Sequence, residues 1–187
     1  MSKLSTLTDD FDDNVLASKW TRAQLGGATA LEQNARLELG TSVDAGAAAI
    51  SSTIPYDALG SSAAVQMPSA GDQALASLQV RFALKQSPTY RVAFTVKGNA
   101  IASEVVADGG VTSIASIGYS PAVMRYLRIR ESGGTTYFEY SLDGGVYLPH
   151  SSTPSPTWMG EVYPELGAAT SAPESSASTV LFDNFNN

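Results

Sequence analysis

The sequence predicts an all-β protein, a two-sheet antiparallel β-sandwich. Apolar and polar residues alternate with a period of two along many short segments, which places one set of side chains on a buried face and the other in solvent. Turn-forming Gly, Asn and Asp residues separate these segments at roughly 8–12-residue intervals. No segment has a 3.6-residue apolar repeat longer than about three turns, so a helical or mixed fold is not favoured.

The N-terminal strands have the weakest signal, because they are rich in alanine, and are predicted at residues 30–33, 37–39, 47–53 and 63–67. A clearer group follows, with four strands at residues 78–85, 90–97, 101–107 and 111–117. The turns Lys97-Gly98-Asn99 and Asp108-Gly109-Gly110 join members of this group, since Gly and Asn tolerate the positive φ of tight turns. The four strands are therefore predicted to form an antiparallel meander.

A second antiparallel group is predicted at residues 125–131, 135–142 and 146–148, and two further strands at residues 161–169 and 180–185. Gly-rich turns again separate the members of this group. We find no internal repeat and no second domain. The sequence thus predicts a single β-sandwich domain that spans residues 1–187.

Composition and charge exclude several classes of function. There is no cysteine, so neither disulfides nor thiolate metal sites are available. The net charge is −7 and the 11 Lys and Arg residues are scattered, which argues against nucleic acid as a partner. The first residues lack the apolar stretch of a signal peptide, and no apolar run approaches the roughly 20 residues of a membrane span. We therefore expect no membrane insertion.

Three short segments occur in a characteristic order. They are Asp9-Asp10-Phe11-Asp12-Asp13-Asn14 with Lys19-Trp20, the pair Tyr126-Leu127-Arg128-Ile129-Arg130 and Tyr137-Phe138-Glu139-Tyr140-Ser141-Leu142-Asp143-Gly144, and Phe182-Asp183-Asn184-Phe185. Together they resemble a concanavalin A-like, or laminin G-like, jelly-roll domain of the kind found in carbohydrate-binding modules and bacteriophage tail or virion-surface proteins. Such domains commonly carry a Trp after the Asp-Gly turn, where this chain has Tyr147. The resemblance implies adjacent N- and C-terminal strands.

The same resemblance implies a structural calcium ion between Asp10 and Asp183. Calcium prefers hard oxygen ligands, which aspartate side chains supply. The alternative is that these aspartates cap turns and face water, or that Asp183 accepts hydrogen bonds from backbone N–H groups, since no EF-hand spacing is present. No other cofactor is expected.

The sequence offers no catalytic residues. Glycosidases built on this sandwich need two facing carboxylates, usually from an alternating Glu-x-Asp-x-x-Glu strand, and this chain has none. Glu161 and Glu165 stand four apart with Pro164 between them. His150, the only histidine, is expected in an exposed loop without a nucleophile elbow.

Aromatic side chains and their polar neighbours are the candidate ligand-binding residues, because sugar rings stack on Trp and Tyr while their hydroxyls bond to charged groups. The candidates are Trp158, Tyr163, Tyr126, Arg128, Arg130, Tyr137 and Glu139. The alternative is that many of them pack in the core, to which we assign Trp20.

These observations lead to a functional hypothesis. We expect a non-catalytic structural or adhesion module on a bacteriophage virion, at the tail or capsid surface, which reaches the outside by lysis. Its expected partners are other virion or surface proteins, itself as a homo-oligomer, and cell-surface glycan. The alternatives are a free-standing carbohydrate-binding lectin and a divergent glycosidase, which would require facing carboxylates in a groove.

Overall fold

The structure, a computed structural model, describes all 187 residues and confirms the predicted all-β sandwich of two antiparallel sheets. The strands are β1 (Trp20–Leu25), β2 (Thr29–Glu32), β3 (Leu37–Gly40), β4 (Gly46–Ser52), β5 (Ser62–Ser69), β6 (Leu78–Ser87), β7 (Tyr90–Lys97), β8 (Ala100–Ala107), β9 (Gly110–Gly118), β10 (Tyr126–Ser132), β11 (Thr135–Ser141), β12 (Leu148–Pro154), β13 (Tyr163–Thr170) and β14 (Thr179–Asp183). Two 3-10 turns, Leu4–Thr6 and Thr157–Gly160, complete the elements. Neither these turns nor any other helix has the length and apolarity to cross a membrane.

Each sheet has seven strands. The first sheet has the order β1-β4-β13-β6-β7-β8-β9, and the second has β12-β11-β10-β5-β14-β3-β2. The predicted meander is confirmed as β6-β7-β8-β9. By contrast, β13 comes from late in the chain and lies between β4 and β6, which the local pattern does not indicate.

The core lies between the two sheets. Phe82 and Phe94 from the first sheet and Phe138 and Phe182 from the second are almost completely buried there. The rings of Phe94 and Phe138 meet edge to face with centroids 5.3 Å apart. Burying a side chain of this size contributes about 1.5–3 kcal/mol, so period-two alternation fixes which face of each strand turns inward.

The two ends of the chain are tied together by backbone hydrogen bonds. Asp9 N–H donates to the Phe185 carbonyl over 2.9 Å, and Phe185 N–H donates back to Asp9 over 2.6 Å. Trp20 is buried, as predicted, with its ring centroid 5.3 Å from that of Phe185. Its indole Nε1 donates to Asp9 Oδ2 over 2.7 Å, so this buried polar atom is satisfied.

Two local predictions were wrong. Strand β1 was missed because only Trp20 of its six residues is buried, and an exposed edge strand shows no alternation. His150 was expected in an exposed loop but lies half-buried in β12, with its ring 5.4 Å from that of Phe94. Burial is the main reason why the pKa of His150 is lowered.

Candidate functional site

Four side chains form a row across the outer face of the first sheet, the face directed away from the second sheet. Strand pairing places Glu165 of β13 beside Ala83 of β6, Ala83 beside Ala93 of β7, and Ala93 beside Glu104 of β8. We call these four residues the alanine row. Two carboxylates therefore stand at the ends of one row, with only methyl groups between them.

Longer polar side chains border both alanines. Arg81 and Lys85 are two residues before and after Ala83, and Arg91 and Thr95 are two residues before and after Ala93. Side chains two apart on a strand share a face, so all four project from the outer face. Ala83 and Ala93 are nevertheless 0% exposed, because these larger neighbours cover them.

Both carboxylates of the row are largely buried and paired with cations. Glu165 has a side chain 13% exposed; its Oε1 lies 3.5 Å from Arg81 Nη1, and its Oε2 is paired with Lys85 Nζ. Glu104 has a side chain 11% exposed, and its Oε1 lies 3.7 Å from Arg91 Nη2. Apart from the Lys85 pair, these contacts are long for charge-assisted hydrogen bonds, which average roughly 2.7–2.9 Å.

Several polar atoms on this face have no hydrogen-bond partner. Arg81 Nε, Arg91 Nε and Thr95 Oγ1 are all buried and unpaired. Burial lowers the pKa of Arg91, and the positive charge of Arg81 lowers it further, against the opposing effect of Glu104 and Glu165. A buried donor without an acceptor is unfavourable, so this face is suited to a ligand that supplies acceptors.

Two grooves meet at Glu165. One encloses about 370 Å³ above a floor of small residues, and its lining is Ala47, Ala48, Ala49, Gln79, Arg81, Glu165, Gly167, Ala168 and Ala169. The other encloses about 430 Å³ and is lined by Arg81, Lys85, Ser87, Pro88, Arg91 and Glu165. The grooves share Arg81 and Glu165.

Sequence reasoning missed this site. Alternation along β6 could have placed Arg81 and Lys85 on one face, since Val80, Phe82 and Leu84 between and beside them are core residues. Glu104 and Glu165, however, lie 61 positions apart in the chain. No local signal indicates that β13 inserts next to β6, so the search for a single carboxylate-bearing strand could not find this pair.

Five of the seven residues predicted to bind a ligand come together on the outer face of the second sheet, namely Tyr126, Arg128 and Arg130 on β10 and Tyr137 and Glu139 on β11. Arg128 Nε donates to Glu139 Oε2 over 2.7 Å, and Arg130 Nη2 donates to Glu139 Oε1 over 2.9 Å. The Arg130 guanidinium also lies 4.3 Å from the centre of the Tyr137 ring. Both guanidinium groups of this cluster thus have a short hydrogen bond to one shared carboxylate.

The other two predicted residues lie elsewhere. Tyr163 is on β13 beside Lys85, and thus near the alanine row. Trp158 lies in the 3-10 turn Thr157–Gly160, packs against the core and meets the Tyr90 ring edge to face at 6.4 Å. The structure therefore separates Trp158 and Tyr163 from the Arg128–Glu139 cluster.

The predicted calcium ligands are close to one another. Burial raises the pKa of Asp183, and the negative charge of Asp10 raises it further. Two carboxylates in mutual repulsion suit a cation, and calcium also accepts backbone carbonyls. No group of three or more His, Cys, Asp or Glu side chains is placed to hold a metal, and calcium at Asp10 and Asp183 stays a prediction.

Comparison with known proteins identifies solved structures that have the same fold. No family model and no curated protein matches the chain. Among solved structures, it is similar to a β-1,3-glucanase from Mycobacterium marinum, with 14% identity, 99% coverage of both chains and a TM-score of 0.69. A β-glucanase from Bacillus licheniformis has 9% identity and a TM-score of 0.71, and the match covers 96% of this chain and 95% of the glucanase. A Mycobacterium tuberculosis protein, named an immunostimulatory antigen and pseudo β-1,3-glucanase, has 13% identity, 96% and 97% coverage and a TM-score of 0.66.

These similarities establish that the chain has the concanavalin A-like jelly-roll fold. They also correct the functional hypothesis, because the similar structures include glucanases and other glycosyl hydrolases. The expectation of a non-catalytic bacteriophage module, and of a chain that is not an enzyme, was wrong. It depended on the lack of a single carboxylate-bearing strand, whereas the fold brings two carboxylates together from separate strands.

Proposed function

We propose that this protein is a glycan-active enzyme that hydrolyses a glycosidic bond on the outer face of its first sheet. The observation that carries the proposal is the alanine row, which places Glu165 and Glu104 on the same sheet face with two buried alanines between them. Glycoside hydrolysis needs two such carboxylates. The grooves beside Glu165 supply room for sugar residues.

The spacing of the pair favours one stereochemical course. Three strand spacings, roughly 14 Å, separate the Cα atoms of Glu165 and Glu104. This Cα separation is wider than the distance between the carboxyl groups of inverting hydrolases, about 6.5–9.5 Å, and much wider than the roughly 5 Å of retaining enzymes. The inverting reaction therefore requires the two side chains to lean toward each other, and the retaining reaction requires a still closer approach. In the inverting reaction, one carboxylic acid gives its proton to the glycosidic oxygen as the C–O bond breaks. The other carboxylate takes a proton from the water that forms the new C–O bond.

Release of reducing ends from a panel of polysaccharides tests the proposal. We expect the wild-type protein to hydrolyse at least one member, and expect Glu165→Gln and Glu104→Gln each to lower the rate by roughly 10²–10⁴-fold, the usual contribution of general acid–base catalysis. Glu139→Gln, on the opposite sheet, is the matched control and should leave the rate unchanged. Hydrolysis that persists in both row variants, or no hydrolysis of any glycan, would overturn the proposal.

The Arg128–Glu139 cluster supports a second, weaker candidate, a glycan-contacting surface away from the reaction. Its specific observation is that the Tyr137 and Tyr147 rings lie on one face with two guanidinium groups. The oligomeric state, the extracellular location and the cell-surface glycan partner stay predictions.

A further inference from the structure

The cations beside the alanine row outnumber its carboxylates. Arg81, Lys85 and Arg91 pair with only Glu165 and Glu104, which leaves one positive charge in excess. The whole chain has a net charge of −7, so this local excess is opposite in sign to the net charge of the protein. A face that keeps uncompensated cations in an acidic protein is suited to an anion.

Hydrogen bonding leads to the same conclusion. The two guanidinium groups approach their carboxylates only to 3.5 and 3.7 Å, and Arg81 Nε and Arg91 Nε have no acceptor. On the opposite sheet, by contrast, Arg128 and Arg130 make contacts of 2.7 and 2.9 Å with Glu139. Arg81 Nη2 donates to Gln79 Oε1 and Arg91 Nη1 donates to the Pro88 carbonyl, but each guanidinium group keeps one buried, unpaired donor beside the groove that both residues line. A small shift of either guanidinium group would present that donor to a ligand in the groove.

We propose that the glycan taken by the first sheet carries carboxylate groups, as uronic acid residues do, and that Arg81 and Arg91 bind them. This inference rests on the proposed function of the same face. A planar guanidinium matches a carboxylate with two parallel hydrogen bonds. A neutral sugar would supply hydroxyl acceptors but would leave the excess charge uncompensated, so the charge balance selects an acidic glycan over a neutral one.

Affinity electrophoresis of the intact protein in native gels tests this inference, because a negatively charged protein has no general attraction for a polyanion. The gels contain polygalacturonate, its methyl ester, dextran sulfate or laminarin, a neutral β-1,3-glucan. We expect polygalacturonate to retard the protein and the methyl ester, which has the same backbone without the charge, to have little effect. Added salt should weaken the retardation.

Substitutions locate the binding. Arg81→Gln and Arg91→Gln should each weaken polygalacturonate binding by roughly ten- to a hundredfold, the usual effect of losing a hydrogen bond to a charged group. Arg36→Gln, which removes a guanidinium group paired with Glu38 outside both candidate surfaces, is the control and should bind like wild type. Thermal unfolding checks that each variant folds, and Lys85→Gln, whose side chain is 25% exposed, replaces any variant that does not.

The outcomes separate this inference from the proposed function. The carboxylate preference is overturned if laminarin or the methyl ester retards the protein as strongly as polygalacturonate does. It is also overturned if dextran sulfate alone retards the protein. In both cases the proposed glycan hydrolysis can still stand. Polygalacturonate binding that Arg81→Gln and Arg91→Gln abolish supports the inference even if no glycan is cleaved, in which case only the proposed function fails. Binding that these variants leave intact overturns the inference.

Discussion

The outer faces of the two sheets use the same residue types with different results. On the second sheet, Glu139 accepts short hydrogen bonds from both Arg128 and Arg130, and the guanidinium of Arg128 lies 3.8 Å from the centre of the Tyr147 ring. On the first sheet, carboxylates and cations alternate around two alanines, with longer contacts and unpaired donors. Residue type alone therefore does not mark a site, and the two faces differ in whether the arginines have short hydrogen bonds or keep buried donors without a partner.

Filling the alanine row should have the largest effect. Ala83→Leu adds a branched side chain beneath Arg81 and Lys85, which cover Ala83, and we expect it to lower glycan hydrolysis by roughly ten- to a hundredfold, because it displaces the cations paired with Glu165. The matching change on the second sheet is Ala64→Leu, at the partner position of Arg128, and should leave hydrolysis near the wild-type rate. Initial rates and thermal unfolding of both variants measure this. Equal loss in the two variants would mean that the row has no special role.

Removing the carboxylate of the Arg128–Glu139 cluster should affect stability rather than hydrolysis. Glu139→Gln takes away the acceptor for two guanidinium groups, and we expect it to lower the free energy of unfolding by about 1–3 kcal/mol. Chemical denaturation with urea measures this change. Glu104→Gln, whose only ion pair is the 3.7 Å contact with Arg91, should cost less, and the reverse order would contradict the distinction between the faces.

The effect of Glu139 should also depend on pH. Burial acts to raise its pKa, but hydrogen bonds from Arg130 and Arg128 outweigh burial, and the pKa of Glu139 lies below its usual value of 4.5. A carboxyl whose pKa is lower in the folded state stabilises that state above the unfolded pKa and loses this contribution as pH falls through the folded pKa. The stability difference between wild type and Glu139→Gln should therefore shrink below about pH 4.

A third carboxylate, Glu32, sharpens the comparison because its close partner is another carboxylate. Burial, followed by the contact with Asp13, raises the pKa of Glu32 to about 7. The folded protein thus binds this proton more tightly than the unfolded chain does, so stability should fall as pH rises from about 4.5 through about 7. We expect the free energy of unfolding of the wild-type protein to be about 1–2 kcal/mol lower at pH 8 than at pH 5, and we expect Glu32→Gln to abolish this difference. Urea denaturation at the two pH values measures it. An unchanged pH profile in the variant would rule out Glu32 as its source.

The smallest expected effect concerns the aromatic ring over Arg128. Tyr147→Ala removes a cation–π contact at 3.8 Å, and such contacts contribute about 0.5–1 kcal/mol at exposed sites. We expect a loss of this size in the free energy of unfolding and no change in glycan hydrolysis. A decrease in hydrolysis would show that the second sheet also contributes to substrate handling.

The sequence by itself determined the fold class and the features that depend on neighbouring segments. Period-two alternation identified the strands of the meander β6-β7-β8-β9, and the Gly-rich turns joined them in order. Alternation also grouped Arg128 and Arg130 with Tyr137 and Glu139 on one face, because β10 and β11 form a hairpin. Such features are readable because a hairpin brings together residues that are close in the chain.

Only the tertiary structure decided where the candidate site lies. The insertion of β13 between β4 and β6 sets Glu165 beside Ala83, and the register across β6, β7 and β8 aligns it with Glu104. Pairing between distant strands is fixed by the packing of inward-facing residues such as Leu166 and Phe82, which are paired neighbours buried in the core. That packing leaves no local trace in the sequence around Glu165, whereas strand β1 was missed because its exposed residues show no alternation.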